Sequence, residues 1–524
     1  MPDQTKPQNE WLTMSRRSLL KALVSVPVFG VFFVEFLRKK AGDDAKRQAL
    51  LAELGVSESG PAIIPHAISR PPSRRIRVGI IGYGGEGESL VRHAGFAHPD
   101  WIEDAKKNHD EDPRDKELET YLGQDDLNIA LTAVCDLFDV RAERAVAASQ
   151  VPYHTGGSAN PPAKRFTRYT DLLASGDVDA VIVATPDHWH SRITIEAANH
   201  KIPVYCEKCM TRTEAEAIAM HDAVKRSGIV FQLGHQNRQS ESHQKAREVV
   251  NAKILGPITL VESTTNRNTP WGAWVWDIHP KGNPQTIDWT QFEAPAAQKV
   301  PFSLERFFRW RCWFDYGTGL SGDLLSHEYD AVNMVLGIGI PKSVVSSGGI
   351  YYFKDGRDVP DVFQAVYEYP DRDLTFVYSA TLANGNDRGL TFMGHDASLR
   401  VSGALTVSAD GESTRFEQKI KDGTIDPSRP MFTYRPGSKG IDAVTSATAA
   451  YFASRGLLYT YRGGRRVSAY HLHIAEWLDA IRNGGDTSCN IDRGFEEAIT
   501  CHMATKSYRE GRRVTWDPVA RRIV

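Results

Sequence analysis

Between residues 76 and about 235, short and nearly all-apolar runs recur, separated by stretches of helical spacing. Ile76–Ile81, Ile129–Val134, Asp179–Ala184, Pro203–Cys206 and Ile229–Leu233 have strand length and β-branched content, with a shorter run at Phe166–Tyr169. Runs without alternation suit parallel strands buried on both faces. Helical periodicity fills the gaps: Glu88–Ala97, the stretch from Thr185 to Asn199, and Ser240–Ala252. A further strand, Ile258–Ser263, opens a second domain. From Ser343 the pattern changes to short β-type runs between turn residues, at Ser343–Tyr352, Val362–Tyr369, Leu374–Ala380, Leu390–Met393 and Ser398–Val401. These predict a mainly antiparallel sheet. Asp410–Arg465 has no clear period and predicts no element. Two amphipathic helices, Ala469–Arg482 and Gly494–Tyr508, and a returning strand at Gly511–Asp517 close the chain.

The start of the chain differs. Ser15-Arg16-Arg17-Ser18-Leu19-Leu20-Lys21 precedes an apolar run, Ala22–Leu37, and resembles the bacterial twin-arginine export signal S-R-R-x-x-L-K. Glu35 interrupts the run, Arg38-Lys39-Lys40 follows it, and no small-x-small cleavage site stands out. Residues 1–41 therefore read as an export signal or a retained N-terminal membrane anchor, although the run is short for a span. Residues 42–73 read as a linker, with a short helix over Asp44–Leu54 and prolines at 61, 65, 71 and 72. A charged stretch at about 98–127 reads as a solvated surface insertion; the alternative is a lid.

Composition narrows the class without deciding it. The 524 residues are 41% apolar and 24% charged, with a formal charge of −2, so no excess of positive charge argues for nucleic acid. Six cysteines are too few for a disulfide scaffold.

The chemistry sits at the ends of the predicted strands. Gly82-Tyr83-Gly84-Gly85-Glu86-Gly87 follows the first strand directly, opens a helix and fits G-x-G-x-x-G, the dinucleotide-binding fingerprint. Gly82 allows the tight turn, Gly84 lets a pyrophosphate approach the backbone, and Gly87 lets the helix pack on its strand. Asp136, ending the second strand, can accept hydrogen bonds from an adenosine ribose, which favours NAD over NADP; it can equally be a helix cap. Arg141 and Arg144 lie near enough to leave NADP open. Thr185-Pro186-Asp187-His188-Trp189-His190 follows the fourth strand and points to the same crevice, as do Glu207 and Lys208 after the fifth. His188 and His190 are two apart, do not share a helix face and find no third ligand, so no metal site is expected. Lys208 is a candidate acid/base, its pKa open to lowering by burial or a second cation. An ion pair with Glu207 is its bland alternative. Cys206 and Cys209 read as unrelated thiols, with a disulfide as the competitor in an exported protein.

In the second half, Trp271, Trp274, Trp276, Trp289, Trp310 and Trp313 crowd one stretch, suiting either sugar rings or ordinary aromatic packing. A glycine-rich approach then leads into a helix where Asp323 and His327 stand four apart. That spacing puts them on one face, where the carboxylate can orient an imidazole that takes a hydroxyl proton. Asp330 adds a carboxylate on or near that face.

Together G-Y-G-G-E-G, A-T-P-D-H-W-H at Ala184–His190, E-K at Glu207-Lys208, G-D-L-L-S-H-E-Y-D at Gly322–Asp330 and the G-R-R-V-T-W-D ending resemble the Gfo/Idh/MocA oxidoreductases from about Arg75 to Asp517. The resemblance implies a Rossmann domain, here 74–235, and a C-terminal α/β domain, here 236–524, whose large open sheet often forms a homo-oligomer interface. It implies an NAD(P)-dependent oxidoreductase acting on a sugar or polyol. Lys208 would polarise the carbinol oxygen, His327 would take its proton, and Asp323 would hold the ring. Where the family usually has E-K-P, this chain has Cys209. The twin-arginine translocase carries folded proteins to a periplasm without free NAD, so a tightly held, internally recycled cofactor is expected. A redox-neutral glycoside-cleaving enzyme and a non-catalytic NAD-binding protein are the alternatives.

Overall fold

The computed structural model describes residues 27–57, 74–151, 160–402, 404–435, 459–462 and 465–524. The twin-arginine stretch Ser15–Lys21, the linker prolines and residues 436–458 of the unassigned stretch lie outside them.

Six parallel strands form the first sheet: β1 (Ile76–Ile81), β2 (Ile129–Cys135), β3 (Lys164–Phe166), β4 (Ala180–Val183), β5 (Val204–Cys206) and β6 (Phe231–Leu233), in the order β3-β2-β1-β4-β5-β6. The order reverses between β1 and β4, the switch point where α/β sheets bind ligands. All of β4 and β5 is buried, as their unalternating sequences require. The crossover after β5 is well terminated. Thr213 and Glu216 form a reciprocal capping box, and Gly228 ends the helix Glu214–Ser227 at φ +67°.

The second sheet has ten strands. They are β7 (Ile258–Asn266), β8 (Ser343–Gly349), β9 (Val362–Tyr369), β10 (Leu374–Thr381), β11 (Leu390–Gly394), β12 (Ala397–Val401), β13 (Leu405–Ala409), β14 (Phe432–Tyr434), β17 (Val514–Asp517) and β18 (Arg522–Ile523). Its order is β14-β13-β12-β11-β7-β10-β9-β8-β17-β18. Every described pairing in it is antiparallel except β7 with β10. Strict alternation along β10 buries Leu374, Phe376, Tyr378 and Ala380 on the face covered by helices. A hairpin of β15 (Tyr459–Arg462) and β16 (Arg465–Ser468) leads into the helix Ala469–Asn483.

Two segments depart from the sequence reading. Pro27–Leu54 is one continuous helix: the expected helix Asp44–Leu54 is its last part and ends at Leu54, but no linker separates it from the apolar run before it. Its last turn buries Leu50, Leu51 and Leu54, with Val56, in the principal core, and Glu53 pairs with Lys419 at 2.9 Å. Residues 50–56 therefore dock on the body through an apolar stripe. Among the described residues no helix is long and apolar enough to cross a membrane. The second departure is the insertion. It folds into the helices Pro99–Glu111 and Glu117–Leu122 and is fastened to the helix Ala469–Asn483. Arg482 donates to the carbonyls of Leu127 (2.6 Å) and Asn128 (3.0 Å), and the Asp125 N–H donates to His471 (3.3 Å).

Candidate active site

The carboxyl ends of β1, β2, β4 and β5 open into a cavity of about 710 Å³ whose far wall comes from the second domain. At its nucleotide end, Gly82 turns at φ +89°, and a Cβ there would lie 2.7 Å from the Ala184 carbonyl oxygen. A Cβ on Gly87 would lie 2.2 Å from the Gly82 oxygen, so that glycine brings the helix Gly85–His93 against its strand. Gly85 faces open space, a Cβ on Gly84 would meet only the Arg141 guanidinium at 3.9 Å, and no side chain caps this helix. Its free N–H groups and positive end suit a pyrophosphate. The Thr185 hydroxyl is buried on the cavity wall without a partner among the described residues. The open glycine cradle and this orphan donor fit a bound dinucleotide.

Asp136 lines the cavity while tying the turn together. Its carboxylate accepts from the Tyr83 N–H at 2.6 Å and the Phe138 N–H at 2.8 Å. Tyr83 therefore gives its N–H to Asp136, and its ring is buried in the Rossmann core away from the cavity, a correction to its place among the cofactor residues. Thr185, Pro186 and Glu207 line the cavity as expected, whereas His188 and His190 do not. The His188 ring is buried behind the cavity wall, bonded to the Phe292 carbonyl at 2.8 Å. His190 sits between the carbonyls of Cys209 and Thr185, both at 2.7 Å, and so braces the turn that carries Lys208. Two carbonyl partners would favour an imidazolium, yet burial pushes the His190 pKa down to about 4; the neutral ring donates to one of them. Among the described residues no cluster of three or more His, Cys, Asp or Glu could hold a metal. Cys206 and Cys209 are free, buried thiols, and the Lys208–Cys209 peptide is cis.

The insertion is not a solvated excursion. Trp101, Glu117, Thr120, Tyr121 and Gln124 wall the cavity, and Tyr470 closes the same side, stacked 5.0 Å from His93 on the glycine helix. Of the six tryptophans, Trp271, Trp274, Trp276 and Trp310 line the cavity. Trp289 stacks on Phe292 at 5.1 Å, and Trp313 packs in the same aromatic cluster.

Lys208, Asp323 and His327 meet in this cavity, but their pairing is not the expected one. Ser321–Leu325 is a π-turn before the α-helix Ser326–Leu336, so the four-residue spacing no longer sets Asp323 above His327. The Asp323 Oδ1 instead accepts from Lys208 Nζ at 2.7 Å and Arg311 Nε at 2.9 Å. Burial acts to raise the Asp323 pKa, but Arg311 and Lys208 outweigh it and hold the carboxyl well below its usual range. Lys208 is also raised: burial works downward, and Asp323 wins. The expected lowering of the lysine into a working range does not occur, and Lys208 stays an ammonium. Nor does it pair with Glu207, whose carboxyl accepts from Gln236 at 2.7 Å. His327 goes the other way. Burial first, then Lys208 and His235, push its pKa well below the ordinary imidazole value, leaving a neutral ring. His235 stands edge-on at 5.5 Å and bonds Glu497 at 2.7 Å.

The sequence reading missed Arg311, Arg267 and Tyr470. Arg309-Trp310-Arg311 in the tryptophan-rich stretch was a usable signal. Nothing in the local pattern marks Tyr470.

Comparison with known proteins agrees with this layout. Residues 76–235 match the family described as oxidoreductases with an NAD-binding Rossmann fold, and 286–516 match its C-terminal alpha/beta domain. Levoglucosan dehydrogenase of Pseudarthrobacter phenanthrenivorans is 25% identical over 43% of this chain and 55% of its own length. Inositol 2-dehydrogenase 2 of Paenarthrobacter aurescens is 32% identical over 22% of this chain and 36% of its own. The chain thus spans about half, or less, of the length of these relatives. Among solved structures, the WlbA dehydrogenase of Bordetella pertussis in complex with NADH and UDP-GlcNAcA superposes with TM-score 0.54 at 15% identity, over 85% of this chain and 99% of that one. Levoglucosan dehydrogenase in complex with NADH and levoglucosan gives 0.55 at 17%, over 84% and 99%. The glycine loop on the parallel sheet, the ten-stranded second domain and both family matches make this chain a member of the NAD-binding Gfo/Idh/MocA oxidoreductase family.

Proposed function

We propose that the protein is an NAD-dependent oxidoreductase acting on a CH–OH group of a sugar or polyol. One observation carries the reading: the ammonium of Lys208 and the neutral ring of His327 open on the cavity that the glycine cradle enters. Bound nicotinamide supplies a hydride acceptor. Lys208, fixed by Asp323 and Arg311, donates to the carbinol oxygen and stabilises the charge that develops there. His327 takes the hydroxyl proton. Trp274 and Trp276 offer apolar faces to the ring and exclude water. The relatives named above act, by their names, on levoglucosan and on inositol, which supports a carbohydrate substrate.

A base must be neutral to work, and His327 is held below the free imidazole pKa of about 6.5. Its activity should survive acidification. The expected kcat/KM stays level as pH falls through about 6.5 and declines only below it. An acid limb at or above that value, measured between about pH 5 and 8, would remove His327 from the role.

The reading extends to cofactor retention. The Ser15–Lys21 stretch supports export through the twin-arginine translocase to the periplasm, and the fastened insertion supports a cofactor that is held and recycled. Replacing Trp101 and Tyr121 together by Ala is expected to speed NADH release about tenfold or more, read by displacement in a stopped-flow fluorimeter; an unchanged rate would exclude the insertion as the retaining wall. The half-exposed outer face of β9 and β10 supports homo-oligomerisation through the large sheet. The primary test is to purify the protein without added cofactor, denature it and identify any dinucleotide released, then to offer sugars and glycosides in pairs and follow the products. An empty protein would end the recycling idea. Failure of every substrate to reduce added NAD would favour a non-catalytic binder.

A further inference from the structure

Two arginines follow β2 on the next helix, Asp139–Ser149, and the structure separates them. Arg144 is engaged elsewhere, paired with Glu88 at 2.9 Å and Asp100 at 3.2 Å. Arg141 lines the cavity, and its guanidinium hydrogen-bonds to no described residue. Asp136 acts on it through space only; the Asp136 oxygens accept from the Tyr83 and Phe138 N–H groups instead. The guanidinium stands beside the glycine loop, where a Cβ on Gly84 would lie 3.9 Å from both Cζ and Nη1. Three rings hold it there. Its Cζ is 5.8 Å from the Phe138 ring, 5.5 Å from Phe307 and 5.3 Å from Phe308. Ring faces attract a cation without occupying its N–H donors. Phe138 belongs to the Rossmann domain, whereas Phe307 and Phe308 come from the second, on the helix Leu304–Phe308. The segment before that helix is tied to the end of β2: the Asp139 N–H donates to the Thr286 carbonyl and the Asp288 N–H to the Leu137 carbonyl, both at 2.9 Å.

We propose, building on the dinucleotide reading of this cavity, that Arg141 clamps the pyrophosphate of the cofactor and that the second domain completes the clamp by supplying two of its three rings. Gly84 lets a pyrophosphate approach on the side where a side chain would otherwise point, and that is the side Arg141 occupies. The glycine helix offers backbone N–H groups to one set of phosphate oxygens. Arg141 offers a planar charged fork, which phosphate oxygens match in pairs. A side chain already pinned by rings loses little freedom when the ligand arrives, so the contact adds to retention.

The test compares wild type with Arg141→Gln, both full-length, in binding of NADH and in competition by ADP-ribose and by adenosine, with NADH fluorescence as readout. The Kd of NADH and of ADP-ribose should rise about tenfold to a hundredfold, the worth of a charged hydrogen-bonded contact. Adenosine, which carries no phosphate, should compete as it does with wild type, showing the rest of the site intact. Arg141→Lys keeps the charge without the fork and should recover part of the loss. Phe308→Leu should speed NADH release about threefold or more in stopped-flow displacement, and should add little in the Arg141→Gln background, because the ring acts through the guanidinium. Unchanged NADH affinity in Arg141→Gln would overturn the inference. So would adenosine weakened in step with ADP-ribose, which assigns the arginine to the base or the fold, and so would a loss confined to NADP, which moves it to the 2′-phosphate. Full additivity of the two substitutions would remove the second domain from the clamp. Failure of wild type to bind NADH would instead sink the dinucleotide reading itself.

Discussion

Lys208→Met is expected to lower kcat about 10³-fold while NAD stays bound at unchanged stoichiometry. Two features make the outcome specific. The lysine is an ammonium held 2.7 Å from Asp323, so its removal takes away a fixed cation. Asp323 is not orphaned by the loss, because Arg311 still donates to the same oxygen at 2.9 Å, and the fold should survive. A second readout separates catalysis from damage. After burial, Lys208 is the largest influence holding the His327 pKa down. Without it the imidazole moves back towards its ordinary range, and the acid limb of kcat/KM should shift upward. A variant retaining activity within about tenfold of wild type, or one that loses NAD, would count against Lys208 as the residue on the carbinol oxygen.

How much of this was legible beforehand depended on whether local pattern or tertiary packing set each feature. The strand, glycine turn and helix at residues 76–93 were plain because the glycine spacing itself carries the turn, with Gly82 and Gly87 each placed where a Cβ would strike backbone. Of the antiparallel strands, Val362–Tyr369, Leu374–Ala380, Leu390–Met393 and Ser398–Val401 were placed within a residue, whereas Ser343–Tyr352 ends three residues early at Gly349, Leu405–Ala409 was missed, and Asp410–Arg465, which predicted no element, holds the strand Phe432–Tyr434 and the short helix Glu417–Lys421. Lys208, Asp323 and His327 were singled out correctly as neighbours in one cavity. Their pairing was not, because a π-turn cannot be read from a four-residue spacing. His188 and His190 misled for a different reason: a helix start at a strand end points several side chains in several directions, and here Thr185, Pro186 and Trp189 line the cavity while the two histidines do not. The charged insertion reads as solvated because its charged residues do lie mostly at the surface. The few that matter, Trp101 and Tyr121 among them, acquire meaning only when Arg482 and His471, over 340 residues away in sequence, hold the segment in place.

Asp330 offers the largest expected effect on stability, and it tests whether the carboxylate three residues after His327 belongs to the chemistry or to the scaffold. Arg238 donates to it through Nε at 2.8 Å and Nη2 at 2.6 Å, and through Nη1 to the Ser488 carbonyl at 2.6 Å. Both side chains are buried, at 7% and 6% exposure. The pair joins the exit of the parallel sheet to the helix Ser326–Leu336 and to the turn before the helix Ile491–Glu510. Asp330→Ala leaves a guanidinium buried without its counter-charge and is expected to cost about 3–5 kcal/mol, read as a lower urea midpoint at unchanged slope. Replacing both partners by apolar residues, Arg238→Met with Asp330→Leu, should recover most of that loss, since the penalty belongs to the unpaired ion. The pH dependence has a definite sign. Burial acts to raise the Asp330 pKa, but Arg238 and His235 outweigh it and the net shift is downward. The pair's contribution is therefore present above the unfolded aspartate pKa of about 3.9 and is lost as pH falls through the lower folded value. The deficit of Asp330→Ala should be constant from neutral pH down to about 4 and shrink only below it. A variant of normal stability that has lost turnover would instead place Asp330 in the reaction.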